Sequence, residues 1–367
     1  MYIFLITIFI LAIVCVYTSG GKLYRVCILN KKYLMNLDSI FFKVLLVCLF
    51  LFWTLKSSTV GFDTNTYRYM YGIASNYVGI GMFRYWTNQP LYYLIFSLLE
   101  WTGMSFRSAQ VVFYVFACSA LSFFINKYSQ NKVLSLFFFV MCGSMAMYSS
   151  ALRQMLAITF GIFATHFSLK KNFGKTVFCI VAAILLHKSA CVLLILLLLY
   201  FFVPSKKQLV LYTPCIWMVA LLLPSGIIRW AASMFVYEVY SQHIGESSNI
   251  LLIAMYFCMG LFVWYIMNTT EWNSCELRFF TSLFVVSIAI ILFSSKFFLI
   301  TRVQYYFQVV QYVVFAEATR RLNNRKSLLL FVFVILLFTV FFLFSLNADV
   351  LSMTPYQFFW NAGEEWK

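Results

Sequence analysis

The stretch "ILLHKSACVLLI", Ile184–Ile195, sets a histidine and a lysine inside an apolar run. Between Val177 and Val203 no other Asp, Glu, Lys, Arg or His occurs. Such a run fits a soluble core or a lipid bilayer, and its own pattern does not separate the two. The rest of the chain does. Of its 367 residues 63% are hydrophobic and 10% charged, and the mean hydropathy is +0.88. Apolar stretches of about 20 residues recur along the whole length, which is the length a helix needs to cross a bilayer. A transmembrane barrel would show short alternating segments, and none are visible. The fold expected is therefore all-α and polytopic, one integral membrane domain over 1–367. In it, His187 and Lys188 mark either a turn between two short helices or a place where those helices meet water.

The formal net charge of +16 would point to nucleic acid in a soluble protein. No aromatic-and-basic low-complexity segment supports that here, so no nucleic-acid partner is expected, and the charge is read through membrane topology. The N-terminal "MYIFLITIFILAIVCVYTSGG" lacks a basic leader and an A-x-A cleavage site, so it is expected to stay as a first span. Spans follow near 2–18, 40–56, 106–127, 133–149, 152–169, 176–187, 189–203, 208–224, 249–268, 279–295, 299–319 and 327–346, about 12 in all. Both termini then lie outside. More than half of the 27 basic residues fall in inside segments, with clusters such as Lys22, Arg25, Lys31 and Lys32, or Arg320, Arg321, Arg325 and Lys326. The pair 176–187 and 189–203 is short and reads as tilted or re-entrant. Two outside regions remain, 57–105 and 225–248. In the first, Asn65 and Thr66 suit a helix start after Asp63, and 91–101 reads as a helix on or dipping into the outer surface.

Lysines do the inside retention, whereas Arg68, Arg84, Arg107, Arg153, Arg229 and Arg302 are left outside. A guanidinium offers a planar fork of donors that suits phosphate and carboxylate oxygens. The outer face therefore reads as built for an anion, against the simpler pairing of these arginines with Asp63, Glu100, Glu238, Glu246 or lipid phosphates. "SSALRQMLAITFG" sets Arg153 and Gln154 at the outer start of a helix, where the helix dipole favours anions. "LITRVQYYFQ" sets Arg302 at another outer start, and His187 and Asp63 reach the same face. Ionisable groups at membrane depth are costly and line polar cavities. The region 225–248 holds Arg229, Tyr237, Glu238, Tyr240 and His243, and its tyrosines read as interface-belt residues or as sugar-stacking ones. There is no C-x-x-C, no metal-ligand cluster and no phosphate-binding glycine loop, so neither a metal nor a cofactor is expected.

"GFDTNTYRYMYG", "LRQMLAI", "LLHKSA", "TRVQYYF" and the tail "TPYQFFW", in this order, resemble the EpsG-like branch of the bacterial Wzy-type polysaccharide polymerases. Members often carry an acidic residue before the Pro-Leu-Tyr-like helix, where this chain has Gln89. The resemblance implies a GT-C-like arrangement of helices in the bacterial cytoplasmic membrane. It also implies polymerisation of undecaprenyl-diphosphate-linked oligosaccharide repeats at the outer face, as in O-antigen or capsule synthesis. Membrane lipids and a chain-length regulator would be the other partners. Arg153 and Arg302 would hold the diphosphate, with Gln154, Tyr67, Arg68, Arg229 and Tyr356 as further substrate contacts. The acceptor hydroxyl would give its proton to His187, with Asp63 as positioning group or alternative base. A flippase or transporter of the same lipid-linked sugar would instead spread its polar residues along a path through both faces. A membrane acyltransferase would place its His and Arg toward the cytoplasm.

Overall fold

The computed structural model describes residues 1–28, 31–73, 89–224, 226–227, 248–297, 300–321, 325–348 and 351–362. Their order is α1 (Tyr2–Thr18), β1 (Leu23–Ile28), β2 (Lys31–Asn36), α2 (Leu37–Thr54), α3 (Thr64–Gly72), α4 (Pro90–Trp101), α5 (Phe106–Tyr128), α6 (Lys132–Met141), α7 (Ser144–Ser150), α8 (Leu152–Leu169) and α9 (Phe173–Leu186). After the 3-10 stretch Lys188–Leu194 come α10 (Ile195–Phe201), α11 (Lys206–Leu222), α12 (Ile250–Thr269) and α13 (Cys275–Phe293). The short turns Thr301–Gln304 and Tyr305–Phe307 lead into α14 (Gln308–Arg320), and α15 (Arg325–Ala348) follows. Small polar residues start many of these helices: Asn36, Ser105 and Ser274 each accept a backbone N–H of the first turn, and Ser205 with Gln208 forms a reciprocal cap.

The helix positions follow the apolar runs, but twelve spans are not established. Among the described residues five helices are long and apolar enough to cross a membrane: α2, α5, α12, α13 and Leu329–Ala348 within α15. The expected span 133–149 is broken into α6 and α7, which meet at 63°. Gly143 sits between them with φ +85°, a conformation that L side chains resist; counting the pair as one span gives six. The expected span 299–319 is likewise interrupted by its 3-10 turn at Tyr305–Phe307. The described residues are mostly helical, as an all-α fold requires, with one short hairpin added. The basic segment after α1 forms an antiparallel hairpin, Leu23 opposite Asn36 through Ile28 opposite Lys31. Its β-branched and aromatic residues, with Gly20 and Gly21 (both φ > 0) ending the preceding helix, favour strand over helix there.

The chain divides into two compact units, Met1–Thr159 with Asn324–Lys367, and Phe160–Asn323; the division falls inside α8. In the first unit α2 packs on α1, α5 and α6. Trp53 is its buried centre, stacked between Tyr114 at 5.7 Å and Tyr148 at 5.5 Å, with its indole N–H donating to Met145 O. The tail lies along the segment after α2. Ser57 N–H donates to Gln357 O and Phe359 N–H to Leu55 O, and the Gly61 and Phe62 amides donate to Ser352 O and Leu351 O. Tyr2 donates to Met353 O at 2.6 Å, and Arg107 lies 4.3 Å over the Phe359 ring. In the second unit α13 packs against α11, α12 and α14. Trp217 donates to Val285 O, and Gly260 lets α12 approach it: a Cβ at 260 would lie 2.8 Å from the Trp217 ring.

Candidate functional site

Each unit gathers residues that the sequence marked. In the first, the turn before α3 is held from inside. The buried Lys56 ammonium donates to Val60 O at 2.6 Å and to Thr64 Oγ1 at 2.8 Å. Gly61 takes φ +98°, and a Cβ there would lie 2.9 Å from Thr64 Oγ1 and 3.1 Å from Ser149 O. This close fit sets the start of α3, whose N-cap is Asp63, in agreement with the expected helix start. One turn on, α3 presents the buried Tyr67.

Tyr67 is one wall around Arg153, at the first turn of α8. Arg153 Nε donates to the Tyr67 hydroxyl at 3.4 Å, and Nη1 donates to Gln89 Oε1 at 2.8 Å and to the Tyr93 hydroxyl at 3.4 Å. The guanidinium carbon lies 5.3 Å from the Tyr67 ring centre and 5.9 Å from that of Tyr92, within cation–π range. Gln89, Tyr67, Tyr92 and Tyr93 are all buried. Burial, ahead of the neighbouring Tyr67, holds the Tyr92 hydroxyl well above the usual phenol pKa, with Arg153 pulling the other way. The walls are thus neutral, and among the described residues no carboxylate pairs with Arg153. Its Nη2 takes no described residue as partner and is not sealed from solvent. The result is a half-buried cation with two donor positions pinned and one left to give. Tyr92 adds a buried hydroxyl with no hydrogen-bond partner among the described residues.

In the second unit, α9 ends at His187, whose backbone is extended (φ −157°, ψ 118°) and whose amide donates to Ala183 O at 2.9 Å. The expected pair of short helices is therefore present, with its break at the histidine. The stretch Lys188–Leu194 packs against Thr301–Gln304 and Tyr305–Phe307. Between them runs a polar chain: His187 Nδ1 to Ser189 Oγ at 2.8 Å, and Ser189 Oγ to the Tyr306 hydroxyl at 3.1 Å. Behind it, Gln308 donates to the Tyr256 hydroxyl and to Gln304 Oε1, and Gln304 donates to Gln311 Oε1 at 2.9 Å. All three glutamines are buried.

The structure thus brings Arg153 together with Tyr67, and His187 together with the segment of Arg302, which is itself exposed. Gln154 is buried beside Arg153 in sequence. Arg68 is exposed, its Nη1 3.5 Å from Ser58 Oγ. Tyr356 belongs to the tail clamp: its hydroxyl donates to Phe52 O at 2.8 Å and its ring packs 4.6 Å from Phe52. Arg229, with Tyr237, Glu238, Tyr240 and His243, lies outside the described residues. Residues not singled out as contacts from the sequence are Tyr92, Tyr93, Ser189 and Tyr306. Their signal was the paired tyrosines of "PLYYL" and "VQYYF" and the serine of "HKSA", but a tyrosine at a membrane interface is ordinary. Gln89 stood out only as a departure from an acidic residue, and it is the shortest contact of Arg153.

Family membership rests on the length of the match. The EpsG family model covers residues 39–358, most of the chain. The chain belongs to the EpsG family. The match spans both units and includes Asp63, Gln89, Arg153, His187, Arg302 and Tyr356. The EpsG family is associated with polysaccharide-polymerase-like, glycosyltransferase-like activity in membranes, in the context of lipid-linked sugars. No curated protein and no solved structure matches the chain.

Proposed function

We propose that this chain polymerises undecaprenyl-diphosphate-linked oligosaccharide repeats at the outer face of the bacterial cytoplasmic membrane, by glycosyl transfer without a nucleotide sugar. The observation that carries this reading is the Arg153 cage. An arginine held by an amide and phenols keeps its whole charge and a defined donor direction, which is what a diphosphate oxygen requires. A structural arginine would be expected to meet a carboxylate instead. The donor is a growing glycan on the lipid diphosphate, and the acceptor is the non-reducing end of an incoming repeat. Arg153 holds the leaving diphosphate, and Arg302 is the alternative candidate for that role. The acceptor hydroxyl loses its proton as it attacks, and His187 and Asp63 are the two candidates to receive it. The lysine-rich segments lie inside, the shorter helices are tilted or re-entrant, and lipid and a chain-length regulator complete the setting.

The test is the surface-glycan ladder of a strain lacking this protein. Single capped repeats are expected, and re-expression should restore the ladder. Loss of all surface glycan would point to a flippase, and an unchanged ladder would remove the polymerase reading. Orientation is tested separately in a cysteine-free background. Thr66→Cys should react with an impermeant thiol reagent, and Lys171→Cys should not; the reverse pattern would invert the topology.

A further inference from the structure

Among the described residues of the first unit, the hydroxyls of Tyr92 and Tyr148 are buried with no hydrogen-bond partner. A hydroxyl in that state has lost water and gained nothing, which destabilises the fold and calls for an explanation. The two differ in their neighbours. Tyr148 packs on Trp53 at 5.5 Å and on Phe139 at 5.0 Å, in the aromatic core. Tyr92 stands in the Arg153 cage, its ring centre 5.9 Å from the guanidinium carbon. Its ring is held by Phe96 at 4.3 Å, Tyr93 at 5.5 Å and Tyr67 at 5.9 Å, and it is 0% exposed, so it cannot turn its hydroxyl out to water. Burial keeps the phenol protonated, and it remains a donor. Arg153 supplies the second observation. Its Nε and Nη1 are engaged by Tyr67, Gln89 and Tyr93, while Nη2 takes no described residue as partner and is not sealed from solvent. One cage therefore holds an uncommitted N–H of a cation and an uncommitted O–H of a phenol. An ionised oxygen group accepts from several donors at once.

We propose that Tyr92 is a second anion-binding group of the Arg153 cage, donating its hydroxyl to an oxygen of the same phosphate-type ligand that Arg153 holds. Resting on the polymerase reading, that ligand is the diphosphate of the lipid-linked glycan. It enters past Arg153 Nη2, and every residue of the cage belongs to the first unit. The protein tolerates an unsatisfied hydroxyl when empty because the ligand satisfies it when bound, so stability and function are set against each other at this position.

Two readouts test it. The first is the melting temperature of the full-length protein in detergent, titrated with inorganic diphosphate. Tyr92→Phe deletes one oxygen and keeps the ring. Without diphosphate it should melt no lower than the parent, because it removes a group that was buried without a partner. Diphosphate should raise the melting temperature of the parent, and Arg153→Ala should lose that rise. Tyr92→Phe should need ~tenfold more diphosphate for the same rise, the scale of a hydrogen bond to a charged group. Tyr148→Phe, which deletes the other partnerless phenol hydroxyl, should respond as the parent does. A parent-like titration in Tyr92→Phe, or a lower melting temperature without diphosphate, overturns the proposal, the latter by making the hydroxyl a support of the fold. No rise in the parent would overturn the anion site itself, Arg153 included. The second readout is the glycan ladder at equal membrane accumulation. Tyr92→Phe should fall by about tenfold and Tyr148→Phe should match the parent; an equal fall in both would assign the effect to packing and overturn the ligand contact. If the strain lacking the protein makes a normal ladder, the polymerase reading falls, and the diphosphate titration still decides the role of Tyr92.

Discussion

The Arg153 cage and the His187 relay handle an ionisable group in opposite ways. Around Arg153 the contacts are an amide oxygen, two phenols and two ring faces. None can cancel the charge, so the protein spends its contacts on direction. Around His187 the contacts include, among the described residues, hydroxyls in series that end in a buried phenol. Hydroxyls donate and accept, so a chain of them carries no net charge. One region preserves a charge and aims it; the other ties one ring nitrogen of an imidazole to a string of hydroxyls. A guanidinium needs the first because it never loses its proton in proteins, and an imidazole needs the second because its two nitrogens are interchangeable until a neighbour distinguishes them.

The most damaging way to break the cage is to remove its centre. Arg153→Ala should abolish the ladder, by ~100-fold or more. Arg153→Lys should recover little, since an ammonium keeps the charge but cannot bond to Gln89, Tyr67 and a ligand in one plane. Full-length glycan from Arg153→Lys, at equal membrane accumulation, would show that a point charge suffices and that the cage does not aim anything. Next in size is Gln89→Glu. A carboxylate 2.8 Å from the guanidinium would compensate the charge the cage preserves, with an expected loss of about tenfold or more, the scale of a charge-assisted hydrogen bond. If that variant polymerises normally, the neutrality of the cage is incidental.

Gly61→Ala attacks the support and leaves the chemistry alone. Positive φ and the contacts at 2.9 and 3.1 Å predict a loss of about 1–3 kcal/mol in stability, read as a lower melting temperature in detergent. A parent-like melting temperature would mean that the turn before α3 is looser than the packing implies. The mildest expected change is Tyr93→Phe. It deletes a 3.4 Å bond to Arg153 and keeps the ring, so activity should fall by roughly threefold or less. A collapse of the ladder would show that the Tyr93 hydroxyl touches the ligand as well as the arginine.

Much of the framework was legible because lipid imposes a simple requirement. A backbone in hydrocarbon must satisfy its own hydrogen bonds, so apolar runs become helices. Their positions could be read within a few residues, from Tyr2–Thr18 to Arg325–Ala348. The breaks were less legible. Gly143 offers positive φ but does not announce that it uses it, and the 3-10 turn at Tyr305–Phe307 has no local signature. The hairpin Leu23–Asn36 was hidden because a basic segment was read for its charge, when its alternation also mattered. Tyr356, marked as a substrate contact by the tail motif, donates its hydroxyl to Phe52 O, a partner that no local pattern announces.

What the sequence by itself determined was the medium, the helices and a short list of polar residues that lipid would not tolerate without a reason: Arg153, His187, Arg302 and Asp63. Hydropathy and charge are local properties, and the chain carries them wherever it folds. What only the tertiary structure decided was what surrounds each of those residues. Tyr67, Gln89 and Tyr93 lie 86, 64 and 60 residues from Arg153 along the chain, and Tyr306 lies 117 from Ser189. No local pattern records such a meeting. Yet the charge left on an arginine and the hydroxyls that reach a histidine ring are both set at hydrogen-bond distance, by neighbours that only folding supplies.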